Sequence, residues 1–425
     1  MSLKSKTNDV NKILEDLFIN EYGKIVSYLT SKFGLKFINK AEDFAQEALL
    51  AASTNWAKDG IPKNPKGWLY LTARNKSINY LHREKKIRFS DEIPELNKET
   101  KIIEALHLDE QIEDSMLKMI FACCSEVISV ENQIVLILNI LCGLNIKEIS
   151  LALIVEEETI KKRLFRSKKK LRDNKVNLEI PKKAYLTKHL NTVCKSLYLL
   201  FNEGYNSSRS KDLIRVDICL EAMRLVKLLS ENFSESTKIN ALYALFCFHA
   251  ARFDSRIDDE GSIVLFKDQN RSLWDQELIN TGVVYLSKAS EGDTLSTYHL
   301  EAGIAMQHCI AKDYSTTNWE YILKLYQALY DLKSSPIIKL NLAIVKGVVN
   351  DPEIAIKELE ALKKVAKLKN YYLLYASLGE FYSQTRNTFL SAHNYNYAKS
   401  LTKNPNELKL IEKKIEKLKT IQRVQ

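Results

Sequence analysis

Glycine and proline are scarce in this sequence, at 12 and 7 of 425 residues. Hairpins, bulges and barrel corners draw on both, and no stretch alternates apolar and polar side chains over the length of a strand, which argues against a sheet-based fold. Amphipathic segments follow one another at helical spacing, so the expected fold is all-α. The 7 cysteines (Cys123, Cys124, Cys142, Cys194, Cys219, Cys247 and Cys309) include no CxxC and no paired ligand spacing. That argues against a cysteine-based metal site and for reduced core thiols in a cytosolic protein. Long hydrophobic runs are missing too: the longest, Ile134 to Leu144, falls far short of the roughly 20 residues a membrane span needs. The N-terminal residues hold no signal-peptide apolar core, so a cytoplasmic chain without membrane contact is expected. With no nucleophile elbow, phosphate loop or metal-ligand spacing, the expectation is a non-enzyme that needs no cofactor.

What the sequence does have is charge, in clusters. The net charge of +10 divides evenly, 31 basic against 26 acidic residues up to Lys183 and 32 against 27 beyond it, so the total itself says little. The densest cluster lies in GLNIKEISLALIVEEETIKKRLFRSKKKLRDNK, Gly143 to Lys175. Ile146, Ile149, Leu153 and Val155 predict a short helix and turn that bury one face. A second helix begins on Glu156, Glu157 and Glu158 and ends in cations, the polarity a helix dipole favours. From Lys161 to Lys175 there are nine Lys or Arg against the single acid Asp173. Ile160, Leu164, Ser167 and Leu171 form the inward stripe. Such a helix-turn-helix can enter a major groove, although a cationic helical face is more commonly just solvated.

Upstream, Val10 to Phe33 has helical spacing, and a second helix runs from Ala41 to about Lys58 with Phe44, Ala48, Ala51 and Ala52 inside. Asp43, Gln46 and Glu47 project from another of its faces, either as plain solvation or as a docking surface for a basic partner. After the loop Asp59 to Gly67, the segment from Lys66 to Arg88 holds seven Lys or Arg against one Glu, interleaved with Trp68, Tyr70, Tyr80 and His82. Cations mixed with aromatics suit single-stranded nucleic acid; the plain alternative makes Trp68, Leu71, Ile78 and Leu81 core. Asp91 to Asp114 carries nine acids and two lysines and reads as a linker.

Phe44 to Arg83, with AQEALLAA and NPKGWLYLTARNKSINYLHRE, resembles the second conserved region of bacterial RNA polymerase sigma factors, and the Gly143 stretch resembles the fourth. Two such regions joined by a short linker resemble the extracytoplasmic-function group. The resemblance implies that Asp43, Gln46 and Glu47 bind core RNA polymerase. Lys63, Asn64, Lys66, Arg74, Asn75, Asn79 and Arg83 would hold the opened −10 strand of promoter DNA. Thr159, Lys161, Lys162, Arg163, Arg166 and Lys169 would face the −35 duplex. Many family members have an acid where Asn79 stands. The implied organisation is a region-two domain at residues 8–90, an acidic linker at 91–113, a region-four domain at 114–175 and a C-terminal domain at 184–425.

That C-terminal part, through LYLLFNEGYNSS, FKDQNRSLWDQELI, YHLEAGIAMQH, TNWEYILKLYQAL and SPIIKLNLAI, resembles the tetratricopeptide-like extension of one sigma subgroup. Independently, Leu342, Ala343, Ala355 and Leu359 recur 36 residues later as Leu378, Gly379, Ser391 and Tyr395, a degenerate repeat pair. Stacked helix pairs offer a curved binding surface. Two polar clusters, Asn202, Glu203 and Tyr205, and Asp268, Gln269, Asn270, Arg271 and Asp275 around Trp274, read most simply as hydrogen-bonded networks or caps. His249, His299 and His308 read as satisfied core histidines. The clusters are also the expected regulatory interface, docking on the sigma domains or on polymerase within one chain. Two other readings stay open: a DNA-binding regulator that never joins polymerase, and an enzyme fused to a DNA-binding module.

Overall fold

The computed structural model describes residues 3–84, 108–153, 155–205, 214–258 and 262–424. Among them there is no β-strand, only an isolated antiparallel bridge between Ile257 and Ile263. The chain divides into two compact units, Met1–Leu200 and Phe201–Gln425.

In the N-terminal unit, α1 (Leu3–Phe33), α2 (Ile38–Asp59) and α3 (Pro65–Glu84) pack on one another. The first two stop at Gly34 and Gly60, whose φ values of 86° and 88° lie in the left-handed region that a glycine adopts without strain. Ala41, Ala45, Ala48 and Ala52 line the buried face of α2 and allow close approach, while Phe44 and Trp56 fill what remains. Helix α4 (Leu108–Cys123) lies on α1 with Met116, Met119 and Ile120 fully buried. Of the expected acidic linker, residues 91–107 lie outside the described residues, and 108–113 already belong to α4.

Helix α5 (Val130–Leu136) runs directly into a buried π-helical turn, Ile137–Leu141. Then come α6 (Ile146–Leu153) and α7 (Glu157–Asp173). Helix α8 (Lys183–Tyr205) crosses the boundary between the units. Its first part is tied to α5 by Ser196, whose hydroxyl donates to Oε1 of buried Gln133 at 2.7 Å.

The C-terminal unit is built on α9 (Val216–Asn232) and α10 (Thr237–Ala250). Nearly every side chain of α10 is buried beneath α11 (Gln276–Ala289) and α12 (Thr297–Ile310). Successive helices α13 (Trp319–Leu332), α14 (Pro336–Val349), α15 (Pro352–Leu362), α16 (Tyr372–Gln384), α17 (Thr388–Leu401) and α18 (Pro405–Val424) each pack on the next. The 36-residue repeat falls on two consecutive pairs, α14 with α15 and α16 with α17. Ala343 and Ala355 in the first pair match Gly379 and Ser391 in the second, and all four are buried. Small residues at these points let the paired helices touch closely: a Cβ on Gly379 would come within 2.8 Å of the Tyr395 ring.

Candidate nucleic-acid and protein interfaces

On α2, Asp43, Gln46 and Glu47 are all exposed, and Leu50 continues the same stripe with 69% of its surface in water. Asp43 accepts from Lys40 at 3.2 Å and Glu47 from Lys76 of α3 at 2.9 Å, both exposed pairs worth little to stability. The stripe therefore presents one apolar side chain beside two carboxylates and an amide. Leu50 went unremarked in the sequence because a leucine among alanines reads as core.

Helix α3 sorts the expected −10 residues. Asn75, Asn79 and Arg83 are exposed and, at four-residue spacing, share one face with Leu71, which is also exposed and is therefore not core. Arg74 is only 8% exposed and points away from that face. Lys63 and Asn64 are exposed before the helix and Lys66 is half-buried. Asn64 has a structural duty, since its Oδ1 accepts from the backbone N–H of Gly67 at 2.9 Å and caps α3 ahead of Pro65. Trp68 is half-buried and packs edge-on against Trp56 with ring centroids 5.5 Å apart.

Helices α6 and α7 form the expected helix pair. Asn145 and Glu148 cap α6 reciprocally, each side chain accepting from the other's backbone N–H at 3.0 and 2.8 Å. Ile160, Leu164, Ser167 and Leu171 of α7 are buried, as their spacing predicts. Lys162, Arg166 and Lys169 make an exposed stripe, with Arg163 and Thr159 half-buried beside it. A second stripe, Lys161, Phe165, Lys168 and Arg172, lines a cleft whose other wall is Glu42, Asp43 and Gln46 of α2. At its centre the Lys168 ammonium donates to both carboxylate oxygens of Glu42, at 2.6 and 2.7 Å, with their side chains only 12% and 15% exposed. Burial pushes the Glu42 carboxyl up, and Lys168 offsets part of that. Phe165 is 66% exposed, another apolar residue whose position sequence periodicity does not reveal. The structure thus brings Lys161 to the expected polymerase-binding stripe and sets Lys162, Arg166 and Lys169 apart from it.

In the C-terminal unit both polar clusters are largely occupied internally. Asn270 and Asp275 cap a 3₁₀ turn and α11. Gln269 accepts from Ser255 and Arg252 at 3.3 Å and donates to the Val264 carbonyl. Trp274 is 3% exposed, with its indole N–H on Ser255 at 2.8 Å. Arg271 donates to the His308 and Ala311 carbonyls and lies over the Trp274 ring at 4.7 Å. The other cluster joins through Arg256, which donates to the Tyr205 carbonyl and stacks 3.7 Å from that ring. Asn202 and Glu203 are half-buried, and of the second cluster Asp268, Asn270 and Asp275 remain exposed. His299 is satisfied by Ser296 and the Ala289 carbonyl. His249 and His308 each bury an Nδ1 with no hydrogen-bond partner, unlike the satisfied histidines expected. Among the described residues there is no cluster of three metal-ligating side chains and no helix long and apolar enough to cross a membrane.

Residues 18–87, which include α2 and α3, match the Sigma-70 region 2 family, and this supports a sigma-70-family factor acting in transcription initiation. Residues 189–290 match a family of unknown function, DUF6596. A protein of Rhizobium meliloti (strain 1021), described as uncharacterized protein R00370, is 29% identical over 385 residues, covering 90% of each chain.

Proposed function

We propose that this chain is a sigma factor of the extracytoplasmic-function type, which joins core RNA polymerase, directs it to promoters and is regulated by its own tetratricopeptide-like C-terminal unit. The observation that carries the reading is the coincidence of the region-two match at residues 18–87 with the exposed Asp43, Gln46, Glu47 and Leu50 stripe of α2. In this reading α2 grips polymerase, and the Asn75, Asn79 and Arg83 face of α3 holds unstacked −10 bases. Helix α7 enters the −35 major groove, where Lys162 and Arg166 contact base edges and phosphates. The chain performs no chemistry itself.

Run-off transcription with purified core polymerase over a genomic promoter pool tests this. Transcripts that start at a common promoter pattern, together with copurification of the full chain and core, are the expected result. Duplex binding without copurification or transcripts replaces the reading with that of a DNA-binding regulator.

A further inference from the structure

The C-terminal unit contains an open cavity of about 420 Å³ lined by the 3₁₀ turn at Phe266–Asp268 and by α12, α13, α14, α16, α17 and α18. One wall is aromatic. Phe266 meets His308 with ring centroids 4.4 Å apart, His308 meets Trp319 at 5.3 Å, and Trp319 meets Tyr314 at 4.9 Å. Ile344 and Val348 of α14 continue the apolar lining.

The charged lining is confined to one place. Glu380 of α16 accepts from Lys267 through Oε1 at 2.9 Å and from Lys414 through Oε2 at 2.6 Å, and Tyr395 also donates to Oε2. Two ammoniums share one carboxylate, so the group carries a net positive charge and retains N–H donors that Glu380 does not use. All three side chains are partly open, Lys267 at 41%, Lys414 at 21% and Glu380 at 31% exposure. In the aromatic wall, the buried Nδ1 of His308 has no hydrogen-bond partner. Burial, then Arg252 and Arg271, hold His308 down to about 3, so it faces the cavity as a neutral ring.

We propose that this cavity binds a small amphipathic organic acid, with its aromatic or aliphatic body against Phe266, Trp319 and Ile344 and its carboxylate on Lys267 and Lys414. The volume lies in the range of small-molecule pockets, and an apolar lining with a few convergent polar groups is their usual composition. Charge on the lining favours an anion: a cation meets two ammoniums against one carboxylate, and an anion balances them, while Asp268, the other carboxylate that acts on Lys267, is exposed to water and lies off the lining.

The test is calorimetric titration of the full-length protein with naphthoate, indoleacetate and decanoate, each compared with its neutral amide. At least one acid should bind saturably at one site and about tenfold tighter than its amide, the difference a charge-assisted hydrogen bond makes. Lys267→Gln should remove that preference while leaving the amide's affinity unchanged. Val348→Trp, at a residue 38% exposed and on the cavity rim, should remove both without lowering the melting temperature. Equal affinity for acid and amide, no saturable binding of any acid at millimolar concentration, or indifference to Val348→Trp overturns the proposal. Tighter binding of an uncharged apolar pentapeptide in the same cavity overturns it in favour of peptide capture. The readout needs neither polymerase nor DNA, so its failure leaves the transcription reading untouched.

Discussion

Leu50 and Phe165 are large apolar side chains left in water beside charged neighbours, one among the acids of α2 and one among the cations of α7. At interfaces such residues act as anchors and the surrounding charges set orientation and rate. Leu50→Glu is therefore expected to weaken association with core polymerase by at least about tenfold, with Lys reversal of Asp43 and Glu47 acting in the same direction. Thermal unfolding should be unchanged, because the residue buries little within the fold. A pull-down in which Leu50→Glu retains core as well as the native chain removes Leu50 from the interface. Glu380 makes a second prediction at this scale. Burial opposes its ionisation, but Lys414 and Lys267 outweigh that and hold its carboxyl down from 4.5 to about 2. A depressed carboxylate contributes stability above its unfolded value, and the contribution is lost as pH falls from about 4.5 through about 2. Discounted for partial exposure, it is about 2 kcal/mol at neutral pH. Acid unfolding of Glu380→Gln should show a shallower loss across that window, and identical acid titrations would count against the ion cluster.

Among the helices, what repetition controls was legible in advance. The buried stripe of α7 and the paired repeat positions of α14 to α17 follow from spacing alone, since a helix returns a side chain to the same face every three or four residues. What depends on a neighbour was not legible. The plain alternative that places Leu71 in the core with Trp68, Ile78 and Leu81 fails for Leu71, which is exposed because among the described residues the face it occupies on α3 is left uncovered. Nor does the sequence reveal that α1 crosses the π-helical turn at Gly23, where an added Cβ would sit 2.0 Å from the Leu141 carbonyl oxygen. That neighbour is backbone within a buried turn and has little room to yield. Gly23→Ala should thus destabilise the protein by about 3 kcal/mol or more, despite alanine's better helix propensity. Denaturant unfolding measures it; an unchanged or raised midpoint contradicts this packing.

For the whole molecule, the polar clusters and the boundary near Lys183 show how far sequence division reaches. The expected C-terminal domain starts at residue 184, just inside the first turn of α8, yet most of α8 lies in the N-terminal unit, into which the Ser196 to Gln133 hydrogen bond ties it. A fragment ending at Lys183 loses that bond and should melt several degrees below one ending at Tyr205, on the order of 1–3 kcal/mol. Equal melting temperatures would show that α8 contributes nothing to the unit.

The cleft between α2 and α7 has a consequence for how partners compete. Lys161, Phe165, Lys168 and Arg172 already have acids opposite them, so a polyanion approaching this stripe of α7 would meet carboxylates in place, whereas Lys162, Arg166 and Lys169 lie outside the cleft. Sites that share a wall are thermodynamically coupled, and whatever one occupant gains by parting the wall is withheld from it until the wall parts. Glu42→Gln should accordingly tighten binding of a random duplex several-fold more than Glu126→Gln, which makes the same charge change at an exposed pair with Lys188. Equal gains from the two variants would mean that Glu42 is only a neighbour. A larger gain at Glu42 would make this half-buried carboxylate a built-in competitor for any polyanion that reaches Lys168.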